Sequence, residues 1–389
     1  MTRLLCGSAS IGILYSVFNF VLIPSLTDRL GSTALAGNLV STGMLITVFT
    51  GMLLGYLGDR RGKHLIYTKL LFMITIIMLI ALSFRSALLL HFVTVAFVAS
   101  TFSILTPYSA LVSSVSMVEA RDRNYGFIMG TVNISMFISS IFIGLITVMS
   151  VETVFVVFSI AVLIFTTPLF LSRSSRFMNT SSLKASTGHT FRLNRSILLI
   201  LLSQFGIWFS IGGLLPYLTS FISSGFSVSL GIASTVMGIS TLTSGVTSIL
   251  TGGLCKSLGR SNLYIISLSI LICMFLSVSI LFDRFLSVGL LLPTILLFVF
   301  SIALGVVYAL NMAIVSGAAS SANQGKIFGA NNIVLVSSQS LSLALIGFII
   351  SSAGYRGAFL LVMGGFLMAL IFYVLHLLNA RSLATAIPQ

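Results

Sequence analysis

Gly55-Tyr56-Leu57-Gly58-Asp59-Arg60-Arg61-Gly62-Lys63 lies between two long apolar runs. A damaged copy, Gly252-Gly253-Leu254-Cys255-Lys256-Ser257-Leu258-Gly259-Arg260, follows 197 residues later. Gly, Leu, Gly and a base keep the same spacing in both. A second pair of landmarks agrees. Gly126-Phe127-Ile128-Met129-Gly130 and Gly325-Lys326-Ile327-Phe328-Gly329 lie 199 residues apart. Two landmarks at nearly one offset predict a parallel duplication.

The runs that flank these loops decide the solvent. The chain has 389 residues, 57% hydrophobic and only 7% charged. Soluble domains carry about a quarter charged residues, so this chain cannot clothe a water-facing surface and belongs in lipid. Backbone polar groups in lipid must be satisfied internally, which leaves helices or a closed barrel. The runs are continuous and do not alternate with period 2, so helices are expected.

Twelve spans are predicted, at about 4–26, 34–57, 65–83, 87–110, 126–148 and 152–171, then 197–221, 230–255, 262–282, 288–316, 327–350 and 356–378. The N-terminal run follows Arg3 without a small-x-small cleavage site, and is read as a retained first helix. The polar stretch from Ser172 to Ser196, rich in Ser, Thr, Asn and bases, divides the spans six and six. The expected organisation is a bundle over 1–172, a cytoplasmic linker over 173–195 and a second bundle over 196–389. The linker reads as a segment on anionic headgroups or as a plain solvated connector.

Loop charge predicts orientation. With the N-terminus inside, sixteen of the twenty bases fall on inner loops and tails, and only Arg29, Arg85, Arg284 and Arg356 fall outside. This positive-inside bias predicts both termini in the cytoplasm and an inner (plasma) membrane location. It also explains the net charge of +14 without nucleic acid, since no aromatic-laced basic patch sits on a soluble module. Cys6, Cys255 and Cys273 lie apart in apolar segments, so packing is expected of them, with no metal and no cofactor.

Amides within the spans are Asn19, Asn38, Asn133, Gln204, Asn311, Asn331, Asn332 and Gln339. They avoid the cores of the third, sixth, ninth and twelfth spans. Amides are costly against lipid, so those four spans are expected outermost.

Twelve spans, a six-plus-six duplication and a Gly-x-x-x-Asp-Arg-x-Gly-basic loop after the second span resemble the major facilitator superfamily. The resemblance covers nearly the whole chain. It implies an all-α membrane transporter of two six-helix bundles working by alternating access, with the first, fourth, seventh and tenth spans around a cavity. It further implies that Gly55 lets the second span approach the eleventh, that Asp59 faces the start of the eleventh, and that Arg60, Arg61 and Lys63, beside Gly62, hold the inner gate shut. A carboxylate at a helix N-terminus is stabilised by about 0.3–1 kcal/mol, which suits Asp59. The motif departs at His64, where a second base is common, and Lys256 replaces the acid in the second copy. Arg121-Asp122-Arg123 resembles the family's loop before the fifth span. Its arginines pair with Asp59 or Glu119, or set topology only.

All six carboxylates, Asp28, Asp59, Glu119, Asp122, Glu152 and Asp283, map to loops or span ends. A buried proton relay normally needs a titratable group within the membrane. His91 is the one histidine placed for it, or else an interfacial ring. The fifth span has no proline beside Gly144, unlike many drug–proton antiporters. The cavity candidates are neutral: Tyr15, Asn19, Thr101, Tyr108, Asn133, Gln204, Trp208, Tyr217, Tyr308, Asn311 and Gln339. They suit a neutral polar or amphiphilic cargo, or they are interhelical hydrogen bonds of about 0.6–2 kcal/mol. The expected function is export of such a small molecule by a monomer in the bilayer, or else proton-independent uniport or uptake of a neutral solute such as a sugar. An enzyme is not expected, because neither a Gly-x-Ser-Gly motif nor an intramembrane aspartate is present.

Overall fold

The computed structural model describes residues 2–61, 63–84, 87–115, 121–146, 150–172, 194–287, 289–317 and 324–385. Among them, all regular structure is helical.

The first span runs Thr2–Val17 as α-helix, Phe18–Leu22 as a π turn and Ile23–Leu30 as α-helix. Pro24 accounts for the irregularity. A π-turn carbonyl at Asn19 looks to the N–H five residues on, and Pro24 has none. The span ends at Gly31, whose φ of 68° lets its N–H reach the Thr27 carbonyl at 2.8 Å. It therefore outruns the expected end near residue 26.

The second and third spans are Thr33–Arg61 and His64–Ala81. The fourth is broken into Ala87–Ser103 and Leu105–Val115. Pro107 deprives the Ser103 carbonyl of its donor, and the break falls between them. The fifth is Arg121–Ile146. The sixth, Val151–Phe170, is capped by the Ser150 hydroxyl, which accepts from Thr153 N–H at 3.1 Å. Asn194 caps the seventh, Arg195–Gly225, at 2.8 Å, and Ser229 caps the eighth, Leu230–Leu258, at 3.3 Å. The ninth is Arg260–Ile280, and the tenth, Leu291–Gly317, follows a short helix at Phe282–Ser287.

The last helical run, Gln324–Thr385, has 62 residues. At 1.5 Å per residue it would measure about 90 Å, three times the roughly 30 Å of hydrocarbon. Gly354, at φ 71°, breaks it into the eleventh and twelfth spans. Eleven helical stretches thus make the twelve expected crossings.

The first six spans pack among themselves and so do the last six. Contacts between the groups run through the second against the eleventh, the fifth against the eighth, and the first against the seventh. The first, seventh and fourth spans are the most buried, at 89%, 72% and 61% of their apolar windows. The third, sixth and ninth reach 39–44%, a range they share with the second, fifth and eighth; Ile77, Ile160, Ile270 and Ile371 point outward on the third, sixth, ninth and twelfth. The tenth, at 44%, is more peripheral than the resemblance implies. Asn38 also departs from the pattern, being exposed on the second span.

Two ionic anchors set span ends. Arg29 pairs with Glu152 at 3.2 Å and donates to the Leu82 carbonyl at 3.2 Å, tying the first, third and sixth spans at the end distal to the chain termini. At the other end, Lys69 donates to the Phe170 and Ser172 carbonyls at 2.8 Å each, and Arg3 donates to the Ser172 hydroxyl at 3.1 Å. A cation on the last carbonyls of a helix also meets the negative end of its dipole. Lys69, counted above as topological charge, has a structural task.

Candidate functional site

The spans meet along a polar, small-residue seam at their distal ends. Ser41 and Ser340 share a hydroxyl hydrogen bond at 2.9 Å, and the pair also bonds to each other's backbone carbonyls at 2.8 and 3.0 Å. Thr33 and Ser351 hydroxyls meet at 2.7 Å. Between the fifth and eighth spans, Gly144 and Gly231 touch backbone to backbone: a Cβ on Gly231 would sit 2.7 Å from the Gly144 carbonyl. The Ser140 side chain occupies the space that a Cβ on Gly238 would need. The distal end is shut.

Tyr217 plugs this end. Its hydroxyl donates to the Leu343 carbonyl at 3.0 Å and fills the space over Gly37 and Gly347. That places the ring of a seventh-span residue against the second and eleventh spans together. Expected among the cavity residues, Tyr217 is fully buried with its hydroxyl spent. Asn133 and Gln339 also lie at packed contacts, Asn133 against Gly245 and Gln339 over Gly212.

Tyr108 differs from its expected place as well. Its hydroxyl donates to the Leu4 carbonyl and shares a 2.7 Å bond with the Ser8 hydroxyl, while its ring lies against Gly7. It staples the fourth span to the first. His91 is exposed beside Phe92, which is 68% exposed.

The remaining candidates converge. Tyr15 stacks on Phe102 with ring centroids 5.1 Å apart, and Phe18 meets Phe102 edge-on at 4.8 Å. Trp208 lies 5.5 Å from Tyr308, tilted by 31°. Tyr15 and Tyr308 are close enough to interact electrostatically. The result is one aromatic layer drawn from the first, fourth, seventh and tenth spans. Phe102 gave no sequence signal beyond its hydrophobicity, and its neighbour Thr101 is buried with its hydroxyl unpartnered.

One helical turn towards the chain termini lies a polar layer. The Tyr264 hydroxyl donates to Asn311 Oδ1 at 3.2 Å. Gln204 sits beside that hydroxyl, fully buried, yet neither its amide nitrogen nor its oxygen reaches hydrogen-bonding geometry. Trp208 Nε1 is likewise unpartnered, as is Gln339 Oε1. Tyr264 belongs to the ninth span, whose core holds no amide, so sequence sorting passed over it. Asn19 is buried in the π turn, where its carbonyl, left without a helical donor by Pro24, accepts from the Thr219 hydroxyl at 3.3 Å.

Gly55, Asp59, Arg60 and Arg61 fall in the last turns of the second span, and Arg121 and Arg123 in the first turn of the fifth. Their side chains, Gly62 and the segment 173–193 lie outside the described residues. Lys63 is exposed. Among the described residues, no group of His, Cys, Asp or Glu could hold a metal ion.

A shut seam at one end and a layered interior between two groups of six helices define a polytopic membrane carrier. The chain belongs to the Major Facilitator Superfamily, whose model matches residues 4–342 and again 200–386. Solved structures agree on the fold. A point mutant of the nucleoside transporter NupG aligns with a TM-score of 0.73 at 14% identity, covering 96% of this chain and 98% of its own. A bacterial homolog of the human lysosomal transporter Spinster, inward-facing and occupied, aligns with 0.73 at 14% identity, covering 97% and 96%. The human organic anion transporter MFSD10 (TETRAN) aligns with 0.65 at 17% identity, covering 96% and 97%. A comparison with curated proteins finds no sequence match. The protein is a membrane transporter, not an enzyme.

Proposed function

We propose that this transporter exports a small neutral or amphiphilic molecule by alternating access. The observation that carries the reading is the uncharged interior. The aromatic layer of Tyr15, Phe102, Trp208 and Tyr308 adjoins the amides of Gln204 and Asn311, and all six carboxylates of the chain map to loops or span ends. A fixed charge on the cargo would find no counter-charge there, and an ion stripped of water needs one.

The organisation is a 1–172 bundle, a 173–195 linker and a 196–389 bundle, present as a monomer in the inner membrane with both termini cytoplasmic. With that orientation the shut distal end faces outward. Asp59, Arg60, Arg61, Gly62 and Lys63, with Gly55, Arg121 and Arg123, form the cytoplasmic gate. Asp59→Asn should impair transport while the protein still inserts; wild-type flux from that variant would remove Asp59 from the gate.

A second reading, uncoupled uniport, rests on the same missing intramembrane acid. Both are tested by following a panel of labelled neutral solutes in proteoliposomes, with and without an imposed pH gradient. Accumulation that tracks the gradient supports coupled export. Equilibration indifferent to pH supports the uniporter. Flux confined to charged solutes overturns both.

A further inference from the structure

Gln204 is the most anomalous side chain in the interior. Native structures pair nearly every buried polar atom, yet both ends of this amide miss hydrogen-bonding geometry at 0% exposure, with the Tyr264 hydroxyl alongside. Trp208 lies four residues on, so its ring and Gln204 share one helix face, and its Nε1–H is unpaired too. Asn311, the neighbouring amide, has its Oδ1 occupied by Tyr264. The closed arrangement therefore strands a donor–acceptor amide and an indole donor next to stacked aromatic rings.

We propose that the Gln204–Trp208 face docks a planar, uncharged cargo group carrying a hydrogen-bond donor and acceptor side by side, as in a lactam, cyclic imide or nucleobase. An amide side chain presents one donor and one acceptor at a fixed spacing, and such an edge is its complement. The rings of Trp208 and Tyr308, 5.5 Å apart, cover the flat apolar face. This deepens the neutral-cargo reading and rests on it.

Trp208 is the only tryptophan of the chain, so its fluorescence reports on this face alone. Full-length protein in detergent micelles is titrated with thymine and with 1,3-dimethylthymine, which keeps the ring but lacks both donors. Wild type should bind thymine about tenfold more tightly or better, because the dimethyl compound leaves the amide oxygen unpaired. Gln204→Leu should bring the two within about twofold. Equal affinity in wild type overturns the proposal while leaving neutral cargo standing, as does a preference that survives Gln204→Leu. Binding of neither, with quenching by the anionic orotate, overturns the neutral-cargo reading as well; no binding at all overturns the proposal. Should Gln204→Leu fail to fold, the wild-type comparison decides alone.

Discussion

Ser41 and Ser340 hold each other by hydroxyl and backbone at once, across the contact between the second and eleventh spans. Both are buried. An arrangement this close cannot persist when the distal end opens, so the pair marks the closed state. In a background lacking Cys6, Cys255 and Cys273, Ser41→Cys with Ser340→Cys should cross-link on mild oxidation, since the hydroxyl oxygens lie 2.9 Å apart. The cross-link should abolish transport and reduction should restore it. A mobility shift on gels with full flux would show that the seam need not part.

The same pair shows how much was legible beforehand. The offset of 197 between the two loop motifs carries position 41 to position 238. Gly238 takes Ser140 in the fifth–eighth contact much as Ser41 takes Ser340 in the second–eleventh. The duplication was readable in the sequence, but the seam was not: Ser140 maps to position 337 or 339 by the two offsets, beside Ser340 and not onto it. Span number and the neutrality of the interior were readable too, because lipid imposes them through hydropathy alone. The roles of individual polar residues were not. Tyr108, Tyr217 and Trp208 are the same kind of residue in the same kind of helix. What separates them is whether a carbonyl from another span lies within reach, a tertiary fact with no local signature. Asn38 fails for a related reason: cost against lipid applies at mid-span, and Asn38 sits near an end.

Lys69 should matter for stability more than its position on a positively charged face suggests. Its ammonium serves the two carbonyls that end the sixth span, and those lose a charged donor when it goes. Lys69→Met should cost about 1–2 kcal/mol, seen as a lower thermal midpoint of the purified protein in detergent. Lys69→Arg should recover most of it. A midpoint unchanged in both would return Lys69 to a purely topological role.

Tyr108 tests the boundary between stapling and binding. Tyr108→Phe removes the bonds to Leu4 and Ser8, worth about 1 kcal/mol in a membrane interior. The variant should melt earlier yet keep its apparent affinity for transported solute within about twofold, because a bond placed in the staple does not touch cargo. Tyr15→Ala, which opens the aromatic layer beside Phe102, should do the reverse and change affinity. A selective loss of affinity in Tyr108→Phe would put that hydroxyl back in the cavity.

Tyr217 is the place where stability and conformational bias coincide. Its hydroxyl bonds to the Leu343 carbonyl and lies against Gly37 of the opposite half. Only the Gly37 contact crosses between the two groups of six spans and depends on the distal end being shut; Leu343 shares the second group with Tyr217. A group that stabilises one state of a two-state carrier shifts the population by its differential energy and nothing more. Tyr217→Phe takes the hydroxyl off Gly37 and so loosens the closed state, by the part of its contacts that crosses the halves and not by the Leu343 bond within the second half. Spin labels at Leu145 and Ile232, both exposed near the Gly144–Gly231 contact, can read it as growth of a longer-distance population. Tyr217→Ala, which also empties the socket over Gly37 and Gly347, should shift it further. If neither variant moves the distance distribution, the ring is ordinary packing and the seam of serines and glycines closes the distal end by itself.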